Sequence, residues 1–165
     1  LALWPAVPDA AGLAGIDPAG LCAWTAGLAS HVGAAPRAVE LARRAIELVG
    51  SEDPHRAALL QVDLGEYLYE IESNDAALAA LERAVELVPA QPPSAERAYA
   101  LGSLAGGMMV AWRHAESLPV ADGVLSPPWA DADDADFELF GYSLEETRQF
   151  AGTCLMRRLK VIGLG

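Results

Sequence analysis

Between residues 18 and 112 apolar side chains recur at spacings of three and four, the pattern of helices with one buried face. Punctuation divides this pattern into segments. Asp17-Pro18 and Asp53-Pro54 each join a side chain able to cap a helix to a proline at the first helical position, where the missing N–H is not needed. Ser94, after Pro92-Pro93, can cap another segment, and Gly33, Gly50 and Pro89 close the segments before them. The spacing predicts helices over 18–31, 36–49, 54–72, 75–88 and 94–112, with a shorter one near 114–118 or slightly beyond. After Leu118 the pattern changes. Pro119, Gly123 and Ser126-Pro127-Pro128 break the helix expected there, and Asp131 to Asp136 reads as a solvated acidic linker. Ser143-Leu-Glu-Glu146 forms a capping box that opens a last helix running towards Lys160. The expected organisation is a helical part over 1–118, a Pro/Asp-rich linker over 119–142 and a C-terminal helix of unassigned origin over 143–165.

The helical segments repeat. Ala38 to Gly50 lies over Ala77 to Pro89 at an offset of 39 residues, and Ala38/Ala77, Arg44/Arg83, Ala45/Ala84, Glu47/Glu86, Leu48/Leu87 and Val49/Val88 are identical across it. Leu64-Gly65 corresponds to Leu104-Ala105 at an offset of 40. A period near 40 built from two helices predicts an all-α fold, an α-solenoid of stacked hairpins over 18–50, 54–89 and 94–118 followed by an irregular C-terminal tail.

Residues 58–91 resemble the tetratricopeptide pattern without a gap: Leu64-Gly65 at the small-residue turn of the first helix, Ala77, Leu81 and Ala84 in the second, and Pro89 closing it. The resemblance implies a right-handed solenoid of tetratricopeptide-like hairpins. Leu1-Ala-Leu-Trp-Pro5 then reads as the last turn of a helix from a further repeat, as if the chain were cut from a longer array. The wording of the repeats is similar to the helical region of large LuxR-type, MalT-like ATP-dependent regulators of bacteria. It is carried by Ala35-Pro-Arg-Ala-Val-Glu-Leu-Ala-Arg-Arg-Ala45, His55-Arg-Ala-Ala-Leu-Leu60, Leu64-Gly-Glu-Tyr-Leu68 and Pro93-Ser-Ala-Glu-Arg-Ala-Tyr-Ala-Leu101. In that family a nucleotide-hydrolysing module and a helix-turn-helix flank the repeats. The resemblance covers residues 1–118 and implies a protein-interaction and signal-relay scaffold, a fragment of a transcriptional regulator. Neither flanking module is seen: the sequence holds no GxxxxGK[ST] phosphate loop and no recognition-helix pair. A free-standing tetratricopeptide adaptor binding a peptide or protein is the alternative. A small-molecule-binding or enzymatic domain using the acidic tail and Cys154 is a third reading.

Charge narrows the partners. A formal net charge of -12 repels a phosphate backbone unless arginines gather on one face, and here they are scattered among carboxylates. Direct nucleic-acid contact by this segment is not expected; DNA binding belongs to an absent module. Only Arg148, Arg157, Arg158 and Lys160 form a local basic cluster, placed where it complements a helix C-terminus. Gly141 to Arg148 also looks like a short stretch of MerR-type regulators, on capping chemistry too common to carry a DNA-binding expectation. The longest uncharged stretch is shorter than a membrane span needs, and Cys22 and Cys154 stand far apart outside any CxxC spacing. A cytoplasmic protein without a disulfide framework is expected. Exposed apolar ends of a repeat array also make self-association an expectation.

Candidate chemistry is sparse. His31, His55 and His114 stand alone, and the best calcium-loop register over Asp134, Asp136, Glu138 and Glu145 puts Leu139 where a glycine is required. No nucleophile motif is present, and carboxylate pairs such as Glu66/Glu70 and Glu82/Glu86 have the spacing of an exposed helix face. The expectation is no enzyme, no catalytic residue, no metal and no cofactor. Gly102, Gly106 and Gly107 interrupt a helix and predict close backbone packing or a kink. If first helices line the concave face as in tetratricopeptide arrays, the register places Val62, Glu66, Tyr69 and Glu70 in one repeat and Tyr99, Met109 and Val110 in the next on a candidate partner-binding groove, with Trp24 joining from the repeat before. Aromatics among carboxylates suit a basic or amphipathic peptide helix.

Overall fold

A computed structural model describes residues 9, 12, 13, 15–71, 73–92 and 94–125. The described residues form six α-helices and no strand: α1 Pro18–His31, α2 Ala35–Val49, α3 Pro54–Glu70, α4 Asn74–Leu87, α5 Ala95–Val110 and α6 His114–Leu125. The fold is all-α. No described helix is long and apolar enough to cross a membrane. The expected Leu1–Pro5 turn, the Asp131–Asp136 linker, the 143–165 helix and Cys154 lie outside the described residues.

The caps read from the sequence hold the helix starts. The Gly20 N–H donates to Asp17 Oδ1 at 2.7 Å, the Arg56 N–H to Asp53 Oδ1 at 2.9 Å, and the Arg97 N–H to Ser94 Oγ at 3.2 Å. Each satisfies one of the first-turn amides that has no partner inside its own helix. Gly33 and Gly50 follow α1 and α2 at φ values of 75° and 61°, a left-handed conformation that costs glycine little.

The chain divides into two compact units, residues 1–80 and 81–165, with the boundary inside α4. In the first, α2 packs against both α1 and α3. Its core joins Ala26, Val39, Leu41 and Ala42 to Leu64, Leu68, Ala77 and Ala80, with Cys22, Ala45 and Leu60 in a second cluster. Three contacts fix how α1 and α3 lie. Arg56 Nη1 and Nη2 donate to Asp17 Oδ2 and Oδ1 at 2.5 and 2.6 Å across 39 residues. The Tyr67 hydroxyl lies 3.7 Å from where a Gly27 Cβ would stand. Ser30 Oγ donates to Glu70 Oε1 at 2.5 Å across 40 residues. Near one end of α1, along it and near its other end, the sequence separation of touching residues stays at 39 or 40. Two helices keep a constant offset only when they run parallel in step, and α1 and α3 do.

In the second unit α5 packs against α6. Arg97 Nη1 donates to the carbonyls of Val85, at 3.0 Å, and Val88, so a side chain of α5 satisfies acceptors at the C-terminal end of α4. Arg113 Nη2 pairs with Glu116 at 2.5 Å, and Arg113 Nη1 lies 3.9 Å from Glu82.

The helix α6 corrects the expected break after Leu118. It runs on to Leu125 with Pro119 inside it. An interior proline removes one ladder hydrogen bond and crowds the preceding turn, at a cost of ~3 kcal/mol in isolation. Packing offsets this here: Ala121 and Ser117 are buried, Ser117 Oγ donates to the His114 carbonyl at 2.9 Å, and Gly123 faces Leu101 of α5. Gly102 is buried, and an added Cβ there meets none of the described heavy atoms within 4 Å outside its own helix backbone.

The sequence repeat is also a repeat of environment. α2 and α4 begin at Ala35 and Asn74, and the equivalent alanines Ala38/Ala77 and Ala45/Ala84 are all 0% exposed. Arg44–Glu47 and Arg83–Glu86 form the same ion pair at the same 2.9 Å. Buried alanines at these positions leave no room for a larger side chain. Ala38→Leu and Ala77→Leu are each expected to cost about 1–3 kcal/mol, read from the urea midpoint, whereas Ala79→Leu at an exposed position stays within about 0.5 kcal/mol.

Candidate functional site

The side of α3 nearest α1 carries Arg56, Leu60, Asp63, Tyr67 and Glu70, spaced by three or four residues so that they share one ridge. The ridge of α1 that meets it is small: Gly20, Ala23, Gly27 and Ser30. An added Cβ at Gly20 would stand 3.3 Å from Arg56 Nη2. Small residues on α1 therefore let the bulky ridge of α3 approach.

This seam is acidic on its α3 side. Asp63, half-buried, has its carboxyl pushed up to about 6 by burial. Burial, and then the charges of Asp63 and Glu70, push the Glu66 carboxyl upward. The Tyr67 hydroxyl is pushed up to about 12 by burial and then by Asp63, Glu66 and Glu70. At the end of the seam the Arg56 guanidinium, followed by the Gly20 amide, holds Asp17 down at about 2. Chemically, then, α3 presents negative charge that is partly withheld from water and concentrated beside Glu66 and Glu70, whose side chains are exposed.

The residues expected to form a groove have different fates. Glu66 and Glu70 are exposed on α3, and Glu70 takes the Ser30 hydroxyl. Tyr69 is half-buried and packs against the core cluster. Val62 is a correction: it is 0% exposed, one of the most deeply buried side chains, and belongs to the core. The tetratricopeptide register placed it outward, but it falls on the arc of α3 shared by buried Ala58 and Gly65. Trp24 is 63% exposed. It lies one ridge away from the Gly20, Ala23, Gly27 and Ser30 side of α1, so it is beside the seam and not in it. In the second unit Tyr99 and Met109 are half-buried and Val110 is 59% exposed.

Asp63 and Tyr67 were missed in the sequence, although their three- and four-residue spacing with Glu66 and Glu70 is the signal that finds them. Trp112 was missed as well. It is 80% exposed in the turn between α5 and α6, at φ 61°, with its ring edge-on to His114 at 5.6 Å. No group of three or more His, Cys, Asp or Glu among the described residues is placed to hold a metal ion. Cys22 is buried, and burial pushes its thiol up, away from the reactive thiolate. His31, on the exposed end of α1, bonds the Gly27 carbonyl at 2.8 Å.

The sequence matches no protein-family model and no curated protein.

Asp63 gives a pH dependence with a defined sign. Its carboxyl ionises at about 6 in the fold against 3.8 as a free group, so the folded state binds the extra proton between those values. Stability therefore falls as pH rises from 4 through 6, and the full penalty is present above 6. Asp63→Asn removes this group: its thermal midpoint at pH 7.5 is expected to exceed the parent's by roughly 2–4 °C, with the difference vanishing at pH 4. Calorimetric scans at the two pH values check it.

Proposed function

We propose that the chain is a protein-interaction and signal-relay scaffold, a right-handed α-solenoid of tetratricopeptide-like hairpins, and that it is a segment of a LuxR-type transcriptional regulator. The observation that carries the scaffold reading is the parallel, in-step pairing of α1 and α3 at a constant 39–40 residues, with α2 packed on both. A chain whose first helices lie side by side at the repeat offset is built to extend a surface and transmit strain along it. The regulator reading rests on the wording of the repeats over residues 35–101. It assigns the segment no catalytic step, no cofactor and no direct nucleic-acid contact, and it places the segment in the cytoplasm. Reading the gene on both sides tests it. A phosphate loop upstream and a helix-turn-helix downstream support it; a start codon close upstream with a stop directly after Gly165 overturns it in favour of a free-standing adaptor.

Within this reading the contact surface is the exposed edge of α3. Glu66 and Glu70 flank half-buried Tyr69, with the raised carboxyl of Asp63 beside them, and the charge calls for a cationic partner. An amphipathic peptide helix with lysines along one face, followed by fluorescence anisotropy, is the probe. Glu66→Lys and Glu70→Lys are each expected to weaken it by about tenfold with unchanged circular dichroism, and 0.5 M salt to weaken the parent likewise. Equal affinity in parent and both variants removes this surface.

A further inference from the structure

The offset that relates α3 to α1 also identifies a face of α1 that nothing in the described residues uses. Adding 39, the sequence offset of Ala38 and Ala77, to Trp24, Leu28 and His31 gives their repeat equivalents Asp63, Tyr67 and Glu70. Of these, Tyr67 and Glu70 touch the small ridge of α1, and Asp63 shares their ridge of α3. On α3 this face is occupied. On α1 Leu21, the equivalent of Leu60, is buried, and the flank beyond it is open: Trp24 is 63% and Leu28 43% exposed, with His31 exposed beside them. Large apolar side chains at four-residue spacing on an open helix flank are uncommon without a partner, and here the fold itself displays what such a partner looks like.

We propose that the Trp24/Leu28/His31 flank of α1 is a stacking surface for one further helical hairpin of the chain's own repeat type, whose first helix meets it with a small-residue ridge. The chemistry of that hairpin follows from the α1/α3 pairs. Opposite Leu28 stands a glycine or alanine, as Gly27 stands opposite Tyr67. Opposite His31 stands a carboxylate or hydroxyl, as Ser30 stands opposite Glu70. Opposite Asp17 stands a neutral cap such as serine, because Asp17 is itself an anion already engaged by Arg56. A second copy of this chain does not qualify as the occupant, since its own small ridge is covered by its own α3.

The test adds the hairpin in cis. A second copy of residues 14–52 inserted directly before Ala14 keeps equivalent residues at the 39-residue separation of Asp17 and Arg56, with Asp17→Ser in the inserted copy alone. Acrylamide quenching of the original Trp24, isolated by difference against Trp24→Phe, is expected to fall several-fold, and the thermal midpoint to rise. Leu28→Glu at the original position restores the quenching in the extended chain while changing the stability of the 165-residue chain little. Three outcomes overturn the proposal. The insert adds helix by circular dichroism yet Trp24 stays as quenchable as before. The insert adds no helix, although a matching face templates it. The 165-residue chain sediments as a dimer with Trp24 shielded in proportion to concentration, which assigns the flank to a second copy. None of these readouts depends on peptide binding to Glu66 and Glu70, so the two surfaces stand or fall separately.

Discussion

The reach of long α3 side chains onto the small ridge of α1 sets how these two helices lie in the first unit, where α2 packs on both. Gly20, Ala23, Gly27 and Ser30 remove side-chain bulk along one line of α1, and Arg56, Leu60, Tyr67 and Glu70 fill the space from the other side. Large residues on one helix fill the space left by small ones on the next. The consequence reaches the surface. With Tyr67 committed to the seam, helical geometry turns Glu66 outward, while Val62 rotates into the core beside Ala58 and Gly65. The electrostatic face of α3 is thus a by-product of how α3 meets its neighbour.

Ion pairing does not cancel that face. Arg37, Arg44 and Arg56 are engaged with Glu40, Glu47 and Asp17, none of which belongs to the Asp63, Glu66 and Glu70 set. Exposed i,i+3 pairs of this kind add at most a few tenths of a kcal/mol each, and the Arg56–Asp17 pair, bidentate and also anchored by the Gly20 amide, serves chiefly to register two helices. Burying Asp63 without a cation costs stability above pH 6 that a fold selected for stability alone would recover with asparagine or leucine. Charge held at such a cost is consistent with a surface that meets positive charge.

Helix starts and the repeat were legible in the sequence because both are local chemistry. A capping aspartate followed by proline acts within four residues, and identical alanines 39 apart report a buried position directly. What was not legible depends on neighbours. Pro119 reads as a stop, yet α6 passes through it because α5 packs along the helix. Val62 reads as outward because a register borrowed from a repeat family fixes the phase only to within one side chain, and one side chain on a helix is a turn of 100°. Trp112 carried no pattern at all, being one residue in a turn.

The repeat-equivalent positions divide into two kinds, and the division says where specificity resides. Alanines at 38, 45, 77 and 84 are identical and fully buried, so they hold helices together irrespective of partner. The ridge positions are not identical: Trp24, Leu28 and His31 on α1 become Asp63, Tyr67 and Glu70 on α3, two apolar side chains and a histidine exchanged for two carboxylates and a tyrosine at repeat-equivalent positions. A backbone repeated at constant offset therefore carries different ridge chemistry on α1 and on α3. Ridge chemistry can change in this way without any change in the scaffold, because the buried alanines beneath it are the same in both repeats.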